Sequence, residues 1–213
     1  NGGYAEYVAI PSANAVPIAD DLDFSAAAAI PIAYLTAWHM LVTRARIQPG
    51  EDVLVLSVGS GVGSAGLQIA KLSGCRVFAT ASSEEKLQVA RQMGADFTVN
   101  YTQTDFSQFV LDRTNGRGVD VVLEHVGQAT WEQSLASLAK NGRLVTCGVT
   151  TGNQGQIDIR KMYQKQLSLL GSALGSTPEL RTVVQLANSG TLNPVVDRTL
   201  PLQQAQLAHQ ILE

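Results

Sequence analysis

The chain has 213 residues, 45% of them hydrophobic and 15% charged, with a formal net charge of −3, enough apolar material for one large core with an appendage. No cluster of Lys or Arg marks a nucleic-acid groove or an anionic membrane surface, and there is no unbroken apolar run of about 18 residues and no charged leader. These features leave a small-molecule substrate, no nucleic-acid or membrane partner, and a cytoplasmic location as the expectations.

In chain order, GGYAEYVAIP near the start is one isolated strand without a partner close by in sequence, so residues 1–20 are expected to be the end of a separate lobe. Asp23–Arg46 has the pattern of a helix interrupted at Pro31, with Tyr34, Leu35, Trp38 and Leu41 on one side. An apolar strand, Val53–Val58, then breaks into a glycine-rich turn. A helical pattern follows with Val62, Ala65, Ile69, Ala70 and Leu72, closed by Gly74, and Arg76–Ala79 forms the next strand.

The alternation continues with helix Glu84–Met93, strand Phe97–Asn100, helix Asp105–Arg113, strand Val119–Leu123 and helix Thr130–Ala139. Strands Arg143–Cys147 and Gln166–Leu170 come next, and helices Pro178–Asn188 and Leu202–Leu212 close the chain. Such alternation predicts an α/β fold: a doubly wound parallel sheet, the Rossmann fold, with right-handed crossovers. Cys75 and Cys147 lie in or beside apolar strands without CxxC spacing, and are expected to be free buried thiols.

In a doubly wound sheet, ligands bind beyond the carboxyl ends of the strands. Loops 58–63, 81–83, 125–127, 147–150 and 171–174 should therefore converge on one cleft. Gly61, Gly63 and Gly66 fit GxGxxG between a strand and a helix, where the first two glycines let the chain turn around a pyrophosphate and the third lets helix and strand pack. An acid for the ribose hydroxyls of NAD is expected about 20 residues past the first glycine, and that count reaches Ala81, followed by Ser82 and Ser83. Without a carboxylate to repel a 2′-phosphate, and with Lys86 one turn on, NADP is favoured over NAD. Ser82 with Glu85 also fits a capping box that only starts a helix. Tyr101, at the tip of the next strand, is placed to cover the adenine or reach the phosphate, or is simply a half-buried surface tyrosine. The missing acid also weighs against a methyltransferase, whose glycine loop looks similar.

GGYAEYVAIP, LTAWHML, SVGSGVGSAGLQIAK, GADFTVNY, GVDVVLEHVG, NGRLVTCGVTTG and PVVDRTLPL, in this order, resemble the medium-chain dehydrogenase/reductase superfamily of zinc-type alcohol dehydrogenases and quinone oxidoreductases. The resemblance implies an NAD(P)-binding Rossmann domain over residues 21–213, with residues 1–20 as a remnant of a GroES-like catalytic lobe. It makes Ser60, Gly61, Val62 and Gly63 the pyrophosphate turn and Ser82, Lys86 and Tyr101 the 2′-phosphate contacts. Thr36 corresponds to the threonine near the nicotinamide, and Val126, Gly148, Val149, Ser172 and Leu174 to the loops around its ribose and carboxamide.

Two positions depart from the pattern: Ser60 replaces a glycine, and Ile32 stands where a Cys or Asp zinc ligand is common. An aliphatic chain binds no metal, so no metal ligand is assigned, and zinc would require ligands from the catalytic lobe. The expected activity is NADP(H)-dependent hydride transfer with an alcohol, carbonyl, quinone or enone. Alternatives are a zinc-dependent, NAD-using alcohol dehydrogenase and a nucleotide-binding fragment without activity of its own. No catalytic residue is assigned. Tyr34 and His39 are proton-donor candidates set against plain packing, His125 is a cofactor neighbour or a loop residue, and His209 is a surface residue. QLSLLGSAL, late in the sheet, is expected to be an exposed edge that pairs with its twin in a homodimer.

Overall fold

Strands β1 (Asp52–Val55), β2 (Arg76–Ala81), β3 (Phe97–Asn100), β4 (Val119–Glu124), β5 (Leu138–Thr146) and β6 (Ser168–Gly171) form one sheet in the order β3-β2-β1-β4-β5-β6. Every pairing is parallel. The computed structural model describes residues 3–212. Asn1, Gly2 and Glu213, which the expected 1–20 and 21–213 boundaries and the first strand include, lie outside the described residues.

A parallel sheet covered on both faces has strands that are apolar throughout, and β1 shows why. Val53 and Val55 point into a cluster with Met40, Leu41, Ala65 and Ile69, while Leu54 and Leu56 join Phe78, Phe106, Val110 and Leu144 on the other face. The helices behind these faces are α1 (Phe24–Ala29), α2 (Leu35–Trp38), α3 (Gly61–Leu72), α4 (Glu84–Gln92), α5 (Phe106–Arg113), α6 (Trp131–Ala136), α7 (Ile159–Lys165), α8 (Thr177–Asn188) and α9 (Ala205–Leu212).

The chain stays helical from Phe24 to Arg44 and is not broken at Pro31. It widens instead into π turns over Ile30–Tyr34 and His39–Arg44 on either side of α2. Proline lacks the N–H of the regular ladder and its ring crowds the carbonyl four residues back, so the ladder shifts register there. At 21 residues with a hydropathy of 1.4, this run is long and apolar enough to cross a membrane. Its Ile30, Tyr34, Leu35, Ala37, Met40 and Leu41 are buried in the protein core, which accounts for that composition.

Four expectations need correction. Residues 3–10 form no strand, and Tyr4, Tyr7, Val8 and Ile10 are exposed, because among the described residues no neighbouring strand offers a ladder. The helix expected to reach Ala139 ends at Ala136, and β5 begins at Leu138, opposite Val119. Pairing then loops out and resumes at Arg143 opposite Val121, with Asn141 in the left-handed region at φ 64. Helix α7 was not expected at all. Its signal is Asp158, whose carboxylate accepts from the amides of Arg160 and Lys161 as an N-cap. The last helix begins as a 3-10 turn at Leu202–Gln204.

The amino end of the sheet is pinned by charge. Asp52, 2% exposed, accepts from Arg76 Nε at 2.6 Å and Arg117 Nη2 at 2.6 Å, and its amide donates to Asp120 Oδ2 at 2.8 Å. Strand order reverses between β1 and β4, so the crevice for a ligand opens at the opposite, carboxyl end of that pair.

Candidate functional site

The turn after β1 is built differently from the glycine pattern. Helix α3 starts at Gly61, so Gly61, Gly63 and Gly66 all lie within it. The reversal itself falls on Ser57, held in the left-handed region at φ 46. Ser57 stays there because its amide donates to Thr80 Oγ1 at 3.1 Å and that of Val58 to the Thr80 carbonyl at 2.9 Å. The helical glycines serve close approach. A Cβ on Gly63 would stand 2.3 Å from the Ser57 carbonyl oxygen, and one on Gly66 2.7 Å from Leu123 Cδ1.

Ser60 Oγ accepts from the Gly63 amide at 3.1 Å and caps α3, which turns the hydroxyl back into the helix. The first-turn amides of Gly61 and Val62 have no helical acceptor and none among the described residues. They are the donors a phosphate would use.

Beside this turn, Ser57, Gly59, Ser60, Ala81, Ser82, Lys86 and Tyr101 line a cleft of about 150 Å³. Sequence positions up to 44 apart thus meet in one corner, and none of them is acidic. Ser83, and not Ser82, caps α4: its hydroxyl accepts from the Lys86 amide at 3.4 Å. The capping box expected of Ser82 with Glu85 does not form: the cap is Ser83, whose N3 residue is Lys86, and Ser82 is left on the cleft wall. The Lys86 stem lies across Gly59, whose missing Cβ would be 2.7 Å from Lys86 Cδ. Tyr101, 39% exposed, forms the rim.

The loops after β4, β5 and β6 make the other half of the crevice. Glu124 is fully buried at the end of β4, and among the described residues no cation pairs with it. Its Oε1 accepts from the Val126 amide at 2.9 Å and Thr130 Oγ1 at 2.8 Å, and its Oε2 from the Gly127 amide at 3.1 Å. The carboxylate thereby folds loop 125–130 around itself. Gly148 sits against that loop, its absent Cβ 2.4 Å from the His125 carbonyl oxygen, and the Thr151 amide donates to the Val126 carbonyl at 2.9 Å. Ser172 donates its amide to the Thr146 carbonyl at 2.8 Å, while Val149 and Leu174 stand exposed on the rim.

Thr36 is buried in α2, which lies between the two halves. Ala33 Cβ is 3.1 Å from the position of a Gly61 Cβ, and Leu35 Cδ1 is 2.6 Å from that of a Gly175 Cβ.

The proton-donor candidates point elsewhere. The buried Tyr34 hydroxyl donates to the Asn193 carbonyl at 3.0 Å and accepts from Gln68 Nε2 at 2.9 Å, and burial raises its pKa. His39 Nδ1 lies 2.9 Å from Glu179 Oε1. His125 Nε2 donates to the Leu56 carbonyl at 2.8 Å and burial lowers its pKa, so it bridges β1 and β4 as a neutral ring. The exposed His209 pairs with the Tyr4 hydroxyl at 3.1 Å.

Cys75 and Cys147 are free, and burial first, then nearby carboxylates, push both thiols up to about 11. Ile32 is 67% exposed, and among the described residues no three of His, Cys, Asp and Glu come together, so the side chains present do not fit a zinc ion. Ser57, Gly59 and Glu124 are site residues that sequence reasoning missed. Only Glu124, a charge at the end of a strand whose one other charged residue is Asp120, carried a signal.

A cleft of about 700 Å³ between α6 and α7 lies near the amino ends of β5 and β6, the wrong side of the sheet for a ligand bound where the strand order reverses.

Residues 61–189 match the model of a family described as zinc-binding dehydrogenase. The chain belongs to the zinc-binding dehydrogenase family. Within the medium-chain dehydrogenase/reductase superfamily, the chain corresponds to the cofactor-binding part, as the sequence resemblance implied. A quinone oxidoreductase of Rattus norvegicus is 32% identical over 218 residues, 99% of this chain and 65% of that protein. The crystal structure of an NAD-dependent alcohol dehydrogenase is similar at TM-score 0.95 and 44% identity, covering 99% of this chain and 62% of that one. A 2-octenoyl-CoA carboxylase reductase in complex with NADP and 2-octenoyl-CoA gives TM-score 0.86 and 28% identity over 92% of this chain and 48% of that one. The chain spans 62% of the length of a zinc-type alcohol dehydrogenase-like protein of Schizosaccharomyces pombe and 65% of that of the Rattus norvegicus quinone oxidoreductase.

Proposed function

We propose that this domain binds NADP(H) and presents its nicotinamide for hydride transfer with an alcohol, carbonyl, quinone or enone. The observation that carries the NADP reading is the corner at Ala81: a cleft without an acid, lined by Ser82, Lys86 and Tyr101. Lys86 would neutralise a 2′-phosphate, and the hydroxyls of Ser82 and Tyr101 would donate to its oxygens.

The Gly61 and Val62 amides would hold the pyrophosphate with help from the α3 dipole. Thr36, Val126, Gly148, Val149, Ser172 and Leu174 would orient the nicotinamide and its ribose, Glu124 keeping the Val126 loop in shape. The bound cofactor supplies the two-electron chemistry, and the protein supplies placement and electrostatics. The described side chains of this domain do not fit zinc, so a metal would need ligands from the catalytic lobe. Residues 3–10, with Tyr4, Tyr7, Val8 and Ile10 exposed, fit the end of a GroES-like lobe that would shape the substrate pocket. The free edge of β6 fits pairing with a second copy in a homodimer.

The test is calorimetric titration with NADPH and NADH. Tighter NADPH binding by about tenfold, which is 1.4 kcal/mol, is expected; equal or tighter NADH binding overturns the NADP reading. That second reading, NAD, has one observation in its favour, the NAD-dependent alcohol dehydrogenase at 44% identity. Turnover of a quinone or enone by this chain, measured alongside, separates an enzyme from a cofactor-binding fragment.

A further inference from the structure

We propose that Gly59 is a positioning residue for the 2′-phosphate: its missing side chain is the groove that holds Lys86 in the cleft. This rests on the NADP reading above and adds to it the residue on which that selectivity depends.

Gly59 has no conformational reason to be glycine. Its φ lies outside the left-handed region, and the strained position of the turn is occupied by a serine, Ser57 at φ 46. What a side chain at 59 would lack is room. A Cβ there would stand 2.7 Å from Lys86 Cδ, 3.2 Å from Cε and 3.2 Å from Cγ, so three successive carbons of the lysine stem pass over this one residue. The three heavy atoms nearest to that position all belong to Lys86.

The root of Lys86 is also held. Its amide is tied to the Ser83 hydroxyl at the start of α4, which fixes the backbone from which the stem crosses Gly59. A long lysine in solvent samples many rotamers, and a groove that confines it lowers the ordering cost of meeting an anion. The colliding atoms are the far part of a flexible chain, so a methyl group at 59 would displace Lys86 and leave the backbone of the turn in place.

The experiment titrates the chain with two probes, adenosine 2′,5′-bisphosphate and AMP, in the wild type, Gly59→Ala, Lys86→Met and the double variant, with a thermal melt of each. The expected result is a wild-type preference for the bisphosphate that falls about tenfold in Gly59→Ala, with AMP affinity and melting temperature unchanged. The double variant should lose no more preference than Lys86→Met alone, since both changes remove one interaction. An unchanged preference in Gly59→Ala, or an equal loss of both probes, overturns the role of Gly59 while the NADP reading stands. A wild type without preference overturns the NADP reading itself and the role of Gly59 with it.

Discussion

His125 Nε2 donates to the carbonyl of Leu56 at 2.8 Å, joining the loop after β4 to the residue after β1 across the point where strand order reverses. Only the neutral ring is comfortable there: burial is the main influence on His125 and lowers its pKa from 6.5, against a smaller opposing pull from this hydrogen bond. The unfolded chain binds its proton more readily, so the contribution of His125 to stability is complete above 6.5 and is lost as pH falls through the lower folded value. In an NMR titration the His125 ring should titrate below 6.5, and a midpoint at or above 6.5 would contradict this account.

Glu124 is a buried carboxylate satisfied entirely by donors, two amides and a hydroxyl. Glu124→Gln sets an amide NH₂ against the Gly127 N–H and should cost about 1–3 kcal/mol. In a chain of this size that lowers the melting temperature by about 2–4 °C per kcal/mol. Nicotinamide-containing ligands should weaken more than AMP, because the loop and not the phosphate turn is disturbed. A Gln variant that melts with the wild type would show that the carboxylate does not organise the loop.

Gly63→Ala collides with backbone, since its Cβ would come 2.3 Å from the Ser57 oxygen. The strand and helix must separate, at about 1–3 kcal/mol, and the Gly61 and Val62 amides move with the helix. Lower thermal stability together with weaker binding of AMP is expected. Normal AMP affinity in a destabilised variant would mean that the turn amides do not hold phosphate.

Glu179 links α8 to the helical run containing His39. Burial opposes its ionisation, yet hydrogen bonds from the Ser176 amide and from Thr43, His39 and Ser176 side chains outweigh this and hold its carboxyl down at about 2. Its stabilisation is present above its ordinary 4.5 and is lost as pH falls towards about 2. Chemical denaturation at pH 6 and pH 3 should show the wild type losing more stability than Glu179→Gln. Parallel losses in the two proteins would remove Glu179 as a cause.

The fold was legible because its signals are local. Apolar runs such as Val53–Val58, bounded by glycine and alternating with helical patterns, need no distant partner to be recognised. Where pairing depends on distant chain, that reading failed: residues 3–10 form no strand because none of the described residues offers them a ladder, and Leu138 is taken from a helix by its register with Val119. α7 escaped because one Asp158 cap is a weak local signal.

At the site, residue types alone pointed to a carboxylate-free corner at Ala81, Ser82, Lys86 and Tyr101, because charge and hydrogen-bonding capacity belong to the side chain wherever it lies. Which serine caps a helix, Ser82 or Ser83, and whether Tyr34 and His39 face the crevice or Asn193 and Glu179, turn on rotations and contacts between segments more than a hundred residues apart in places. The same holds for Ser57 and Gly59. A left-handed serine and an empty patch under a lysine exist only once the turn, β2 and α4 are packed together, since strain and free space are properties of neighbours in space.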